Sequence, residues 1–230
     1  MTDRALSKAV SEALSKEAEF LRRIVEPAQT ALLTMELQQG VVGSHGLFPA
    51  LVDEVARTGM LATVGGLCAA ARDAGARVVH CTAESRADGA GAATNCKILA
   101  LAARRRREQG SGATDRGTPG VLLVPELGDD PRDIVVPRLH GMTPFTATSL
   151  DQILRNLGVT TVVATGVSVN LGVFGMVLTA LDLGYQVVLV RDGVAGVPPE
   201  YAQAVIDNSL TLISTVVTSA ELLQAWKSWA

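Results

Sequence analysis

The chain alternates short apolar runs rich in β-branched residues with stretches of helical periodicity, and this alternation restricts the folds open to it. Six runs read as buried strands: ALLTM (31–35), ARVVHC (76–81), DIVVP (133–137), TTVVATG (160–166), QVVLV (186–190) and LISTVV (212–217). Strands that are apolar throughout are covered on both faces, as in a parallel sheet flanked by helices. Helical patterns fall between them at about 51–74, 94–107, 147–157, 170–183, 198–209 and 219–228. Gly75, Gly158 and Gly184 stand where helix C-caps belong. The expectation is an α/β domain with a six-stranded parallel sheet and right-handed crossovers.

A length of 230 residues with 48% hydrophobic and 19% charged residues fits one compact domain. The net charge of −3 lacks the basic excess that a phosphate backbone requires, so nucleic acid is not expected as a partner. The longest apolar run, Leu171 to Leu181, is closed by Asp182 and is far short of the roughly 20 residues of a bilayer span. No membrane association is expected. The opening MTDRALSKAV does not read as an export signal, and Cys68, Cys81 and Cys96 are odd in number and lack metal-ligand spacing. A reducing cytoplasm, with neither disulfide nor bound metal, is the expected setting. Residues 1–27 form an arm with apolar positions at Leu6, Val10, Leu14, Ala18, Leu21 and Val25, one face of a helix ahead of Pro27. That stripe must cover either its own domain or a neighbouring subunit, and the favoured reading is a subunit contact in a homodimer or higher homo-oligomer, leaving 28–230 as the main domain.

Ligands of open parallel sheets bind beyond the carboxyl ends of the strands, so polar residues there are the candidates. Glu36 and Gln38 follow the first strand; Arg138 and His140 follow the third. A guanidinium at a strand end suits an anionic ligand, and it equally suits an ion pair with Glu36. The fourth strand runs into TGVSVNLGVFG (165–175), where glycine permits a sharp turn into a helix whose first amides form an anion or oxyanion site. Val167, Ser168 and Asn170 lie on that turn, but the spacing around Ser168 lacks the second glycine of a nucleophile elbow. No G-x-G-x-x-G turn follows the first strand, so no dinucleotide or other cofactor is expected. Gln109 to Pro119 reads as a mobile surface loop, Arg104 to Arg107 as a solvated helix end, and the cysteines as buried packing residues, with Cys81 the one candidate thiol.

Taken in order, ALLTMELQQG, GTPGVLLVPEL, DIVVPR, FTATSLDQILRNLGV, VVATGVSVNLGV and LGYQVVLVRDGVAG resemble the isochorismatase-like hydrolase family over about residues 28–225. The resemblance implies a three-layer Rossmann-like fold and hydrolysis of a small molecule. The family's usual catalytic set is an aspartate, a lysine and a cysteine; by motif position these become Glu36, Arg138 and Gly172. With no sulfur or hydroxyl at Gly172, a thioester route is closed. Isochorismatases proper are similar in placing a glycine there and working without a covalent intermediate. The resemblance also implies a cis peptide at Val167-Ser168; Gln38, His140, Val167, Ser168 and Asn170, from their places after the strands, are the expected substrate contacts. Two readings stay open: a hydrolase of a small carboxylated molecule that uses no cysteine, and an inactive member retained as a ligand-binding or dimeric interaction protein.

Overall fold

A computed structural model describes residues 15–227 and 229. Its single sheet is all parallel, in the order β3-β2-β1-β4-β5-β6. The strands are β1 (Thr30–Met35), β2 (Arg77–Ala83), β3 (Ile134–Arg138), β4 (Thr161–Val167), β5 (Gln186–Ala195) and β6 (Thr215–Val217). All six expected runs are present. The last is shortened because Thr211–Ile213 is helical, and the fifth continues past a bulge opposite Ala164 and Gly166.

The helices are α1 (15–24), α2 (Pro49–Thr58), α3 (Met60–Ala74), α4 (Lys97–Gln109), α5 (Leu150–Asn156), α6 (Phe174–Asp182), α7 (Pro199–Val205), α8 (Thr211–Ile213) and α9 (Ser219–Lys227). Alternation along β1 assigns the layers. Leu32 packs with α2, α3 and α9 through Leu51, Leu67 and Trp226, whereas Leu33 and Met35 face α5 and α6 through Leu154 and Met176. The three-layer expectation is met. The single helix expected at 51–74 is instead two, because Gly59 adopts a left-handed φ of 67° that ends α2 and redirects the chain into α3. The helix expected from 170 begins as a π-helical turn, Val169–Val173.

Two further expectations are corrected. Leu21 and Val25 of the arm are buried in the chain's own core, and the Trp226 indole donates to the Val25 carbonyl at 3.0 Å. These positions therefore cannot serve a subunit contact; Leu6, Val10 and Leu14 lie outside the described residues. The 109–119 stretch is anchored rather than loose. Asp115 is buried, accepting from Arg106 and from the Gly112 amide at 2.8 Å, and the Arg116 amide donates to the Ser85 carbonyl at 2.9 Å. No helix among the described residues is long and apolar enough to cross a membrane.

A buried polar chain ties β1 and β2 to the approach to β3. Thr34 Oγ1 lies 2.7 Å from His80 Nδ1, His80 Nε2 lies 3.0 Å from Asp133 Oδ2, and Arg72 on α3 donates to Asp133 at 2.5 Å and to the Leu127 carbonyl at 2.8 Å. Burial pushes the His80 imidazole below its ordinary value, opposed by Asp133 and reinforced by the Arg72 charge. The unfolded chain takes up this proton near pH 6.5 while the folded chain resists it, so stability falls as pH drops through that value. Denaturant unfolding at pH 7.5 and 5.5 is expected to show a loss of up to about 1.4 kcal/mol per pH unit that flattens in His80→Gln. Equal slopes in the two proteins would contradict this.

Candidate active site

Strand order reverses between β1 and β4, and a crevice opens beyond their carboxyl ends. The two strands approach closely there. Gly166 is paired with Met35, and a Cβ at Gly166 would fall on the Met35 backbone; the residue's φ of 104° also belongs to glycine. The next residue after Met35 is Glu36, itself left-handed at φ 54°, with its amide donating to the Cys81 carbonyl at 2.9 Å. A non-glycine residue held in this region stores roughly 1–3 kcal/mol, which the neighbouring strands must supply.

Glu36, Arg138 and Gly172 all line one cavity of about 220 Å³ at this crevice. Arg138 reaches across β2, where its register partner is the small Ala83, and its Nη2 donates to Glu36 Oε1. Its Nε donates to the Gly141 carbonyl at 3.2 Å, while Nη1 has no protein acceptor although the side chain is only 5% exposed. Buried donors are costly to leave unpaired, so this nitrogen calls for an acceptor from a ligand or water. At Gly172 a Cβ would come within 2.9 Å of the Met35 methyl and 3.4 Å of the Val167 carbonyl, so the space a side chain would take is partly filled by Met35.

Ser168 and the exposed His140 also line the cavity. Among the described residues, no histidine or carboxylate bonds to the Ser168 hydroxyl. The Val167-Ser168 peptide is cis, as the family resemblance implies. The amides of Leu171 and Val173 both donate to the Ser168 carbonyl at 3.0 Å, so these two are spent inside the turn rather than aimed at an anion. Three other candidates lie off the cavity. Val167 is core, and Asn170 donates to the Val197 carbonyl at 3.2 Å. Gln38 is fully buried, donating to the Ala83 and Val121 carbonyls at 3.1 Å each and accepting from the Ala83 amide at 2.7 Å. Cys81 is enclosed in the core, and burial pushes its thiol up to about 12, which leaves it inert as a nucleophile.

Sequence reasoning missed the wall made by α4. Arg105 and Arg106 were expected to be solvated, yet both line the cavity, Arg106 held by Asp115 and Arg105 donating to the Leu47 carbonyl. The available signal was periodicity: Ile98, Ala102, Arg105 and Gln109 recur at helical spacing and face the same space. Among the described residues, no group of three or more His, Cys, Asp or Glu side chains is placed to hold a metal ion.

The family profile of the isochorismatase domain matches residues 30–221. The chain belongs to the isochorismatase family. It is 31% identical over 186 residues to the ureidoacrylate amidohydrolase RutB of Pseudomonas syringae pv. syringae, covering 78% of this chain and 76% of that protein. Among solved structures, an isochorismatase family protein from Desulfovibrio vulgaris aligns with a TM-score of 0.73 and 25% identity, covering 86% of this chain and 98% of the other. The N-carbamoylsarcosine amidase of Thermoplasma acidophilum shares the fold at a TM-score of 0.61 and 21% identity, covering 83% and 96% of the two chains.

In this isochorismatase-family domain Gln38 acts as a staple between the segment after β1, the end of β2 and the 119–124 segment. Gln38→Ala strips partners from three partly buried backbone groups and is expected to cost about 2–4 kcal/mol in denaturant unfolding. A loss under about 1 kcal/mol would return Gln38 to the list of ligand contacts.

Proposed function

We propose that this isochorismatase-family chain hydrolyses a small carboxylated molecule without a covalent intermediate on sulfur. The observation that carries the reading is the meeting of Glu36 and Arg138 at the switch-point cavity, beside a Gly172 that offers no nucleophilic atom. The named activities of the RutB relatives and of the amidase neighbour favour an amide-type bond as the target.

In this scheme a water enters the cavity and gives a proton to Glu36 as its oxygen attacks the substrate carbonyl carbon. The carbonyl oxygen, gaining negative charge, accepts from the free Nη1 of Arg138. Collapse of the tetrahedral adduct breaks the bond to the leaving group, which recovers the proton from Glu36. The products are a carboxylic acid and the protonated leaving group, so water is the only co-reactant. Ser168 and His140 contact the substrate at the cavity wall, while Gln38, Val167 and Asn170 hold the frame. The scheme calls on no cofactor.

A second reading has its own support: the charges of Glu36 and Arg138 already neutralise one another, as in a pocket kept for binding alone. One experiment separates the two. Incubation with a panel of amides, carbamoyl compounds and vinyl ethers, followed by mass spectrometry, is expected to give a hydrolysis product. That product falls by at least about 100-fold in Glu36→Gln at unchanged melting temperature, the scale of loss when a general base is removed. Thermal stabilisation without product would favour the binding reading, and full turnover by Glu36→Gln would overturn the assigned role.

A further inference from the structure

The charges around the cavity do not cancel. Five ionised side chains line it: Glu36, Glu84, Arg105, Arg106 and Arg138. Arg138 is matched by Glu36, Arg106 by the buried Asp115 and Glu84 by Arg116 at 2.5 Å. Arg105 alone, among the described residues that line the cavity, is a cation without a carboxylate partner. The Arg138 guanidinium, for which the sequence left open an anionic ligand or an ion pair with Glu36, has its charge matched by Glu36 and its Nε taken by the Gly141 carbonyl, with Nη1 alone unpaired.

Arg105 is also held in place. Its Nη1 donates to the Leu47 carbonyl, and its guanidinium carbon lies 5.9 Å from the centroid of the Phe48 ring. These contacts occupy one nitrogen and one face, and leave Nε and Nη2 without a protein acceptor. The surrounding wall is apolar, with Leu47, Phe48, Ile98, Leu99 and Ala102. A fixed cation in such a wall favours an anion, because the partly desolvated setting strengthens the attraction and little side-chain entropy is left to lose.

We propose that Arg105 binds the anionic group of the ligand, and that the ligand class is a monocarboxylate with a compact apolar body. A cavity of about 220 Å³ lies below the roughly 300–1,000 Å³ of sites for drug-sized ligands, which favours a compact body. The single unmatched positive charge sets the valence: a second carboxylate would meet Glu36 or the apolar wall and lose its hydration uncompensated. This deepens the hydrolase reading by assigning substrate class and the residue that selects it, and it rests on that reading only in calling the ligand a substrate.

Hexanoate and 1-nitropentane form a test pair, since the nitro group has the shape of the carboxylate without its charge; adipate adds the second charge. Calorimetric titration of the full-length protein is expected to show hexanoate binding at least about tenfold tighter than either comparator, the scale of a charged hydrogen bond. The advantage over 1-nitropentane should disappear in Arg105→Gln and largely survive in Arg105→Lys. Rising salt should weaken hexanoate and leave 1-nitropentane unchanged, a readout on the unsubstituted protein that holds even if Arg105→Gln unfolds. Equal binding of hexanoate and 1-nitropentane, absence of hexanoate binding, or a preference that persists in folded Arg105→Gln would each overturn the proposal. Loss of turnover in Glu36→Gln with hexanoate binding intact keeps the two ideas apart: hexanoate bound through Arg105 with no substrate ever turned over sinks the hydrolase reading alone, and the reverse pattern sinks the anion assignment alone.

Discussion

Everything at the site depends on how β1 and β4 lie side by side in a parallel sheet. Parallel neighbours cannot be joined by a hairpin, so the crossovers leaving β1 and β4 pass to opposite faces and the chain parts at their carboxyl ends. Gly166 lets the two backbones meet at Met35, and the chain then has to turn at once: Glu36 in a left-handed conformation on one side, the Ser168 turn on the other. The carboxylate thus arises from an element already fixed on both flanks, with β2 taking the Glu36 amide. A glutamate presented this way has little of its backbone freedom left to lose, which is what positioning a reacting group demands.

Segments without strand partners are secured by arginines instead. Arg72 holds the 127–133 stretch, Arg106 holds the loop around Asp115, and Arg138 closes the edge of β3 onto β1. Buried ion pairs of this sort contribute little net stability, because desolvation offsets much of the attraction, but breaking one leaves a bare charge and is costly. Their effect is to choose one arrangement of the loops around the cavity. Arg105, in the same run as Arg106 and on the same helix, has no carboxylate partner; the Leu47 carbonyl and the Phe48 ring hold it at the cavity wall with its charge unmatched.

The strands and their order of appearance were legible because burial on both faces writes itself as unbroken apolar runs, and the cap glycines because left-handed φ at Gly75, Gly158 and Gly184 requires them. Gly59 carried the same signal and was passed over, since apolar periodicity runs through it into α3. Glu36 and Arg138 could be found from their place after strands. Gln38 had the same credentials, yet its amide completes the backbone of β2, a partner that only the folded chain provides. The arginine run failed for a related reason. Which of four consecutive arginines faces inward is set by the azimuth of α4 against the 36–48 segment, and no local pattern of charge records that angle.

In the reaction proposed here, Gly172 is the position that redirects the chemistry of the site. Covalent catalysis splits a hard step in two by lending an enzyme atom to the carbonyl carbon; without that atom, the nucleophile has to be water, and water has to be both deprotonated and aimed. In the proposed reaction Glu36 does the first and the confines of a small cavity the second, with Met35 occupying the space that a side chain at 172 would claim. The negative charge that develops on the substrate oxygen then needs a donor, and in the same proposal this is Arg138 Nη1, which has no protein acceptor, while the neighbouring Nη2 restrains Glu36. Base and electrophile are therefore coupled through one guanidinium. When Glu36 takes the proton its attraction for Nη2 weakens, and at the same stage the charge on the substrate oxygen grows beside Nη1, so the positive charge of Arg138 is balanced throughout the step rather than exposed at its midpoint.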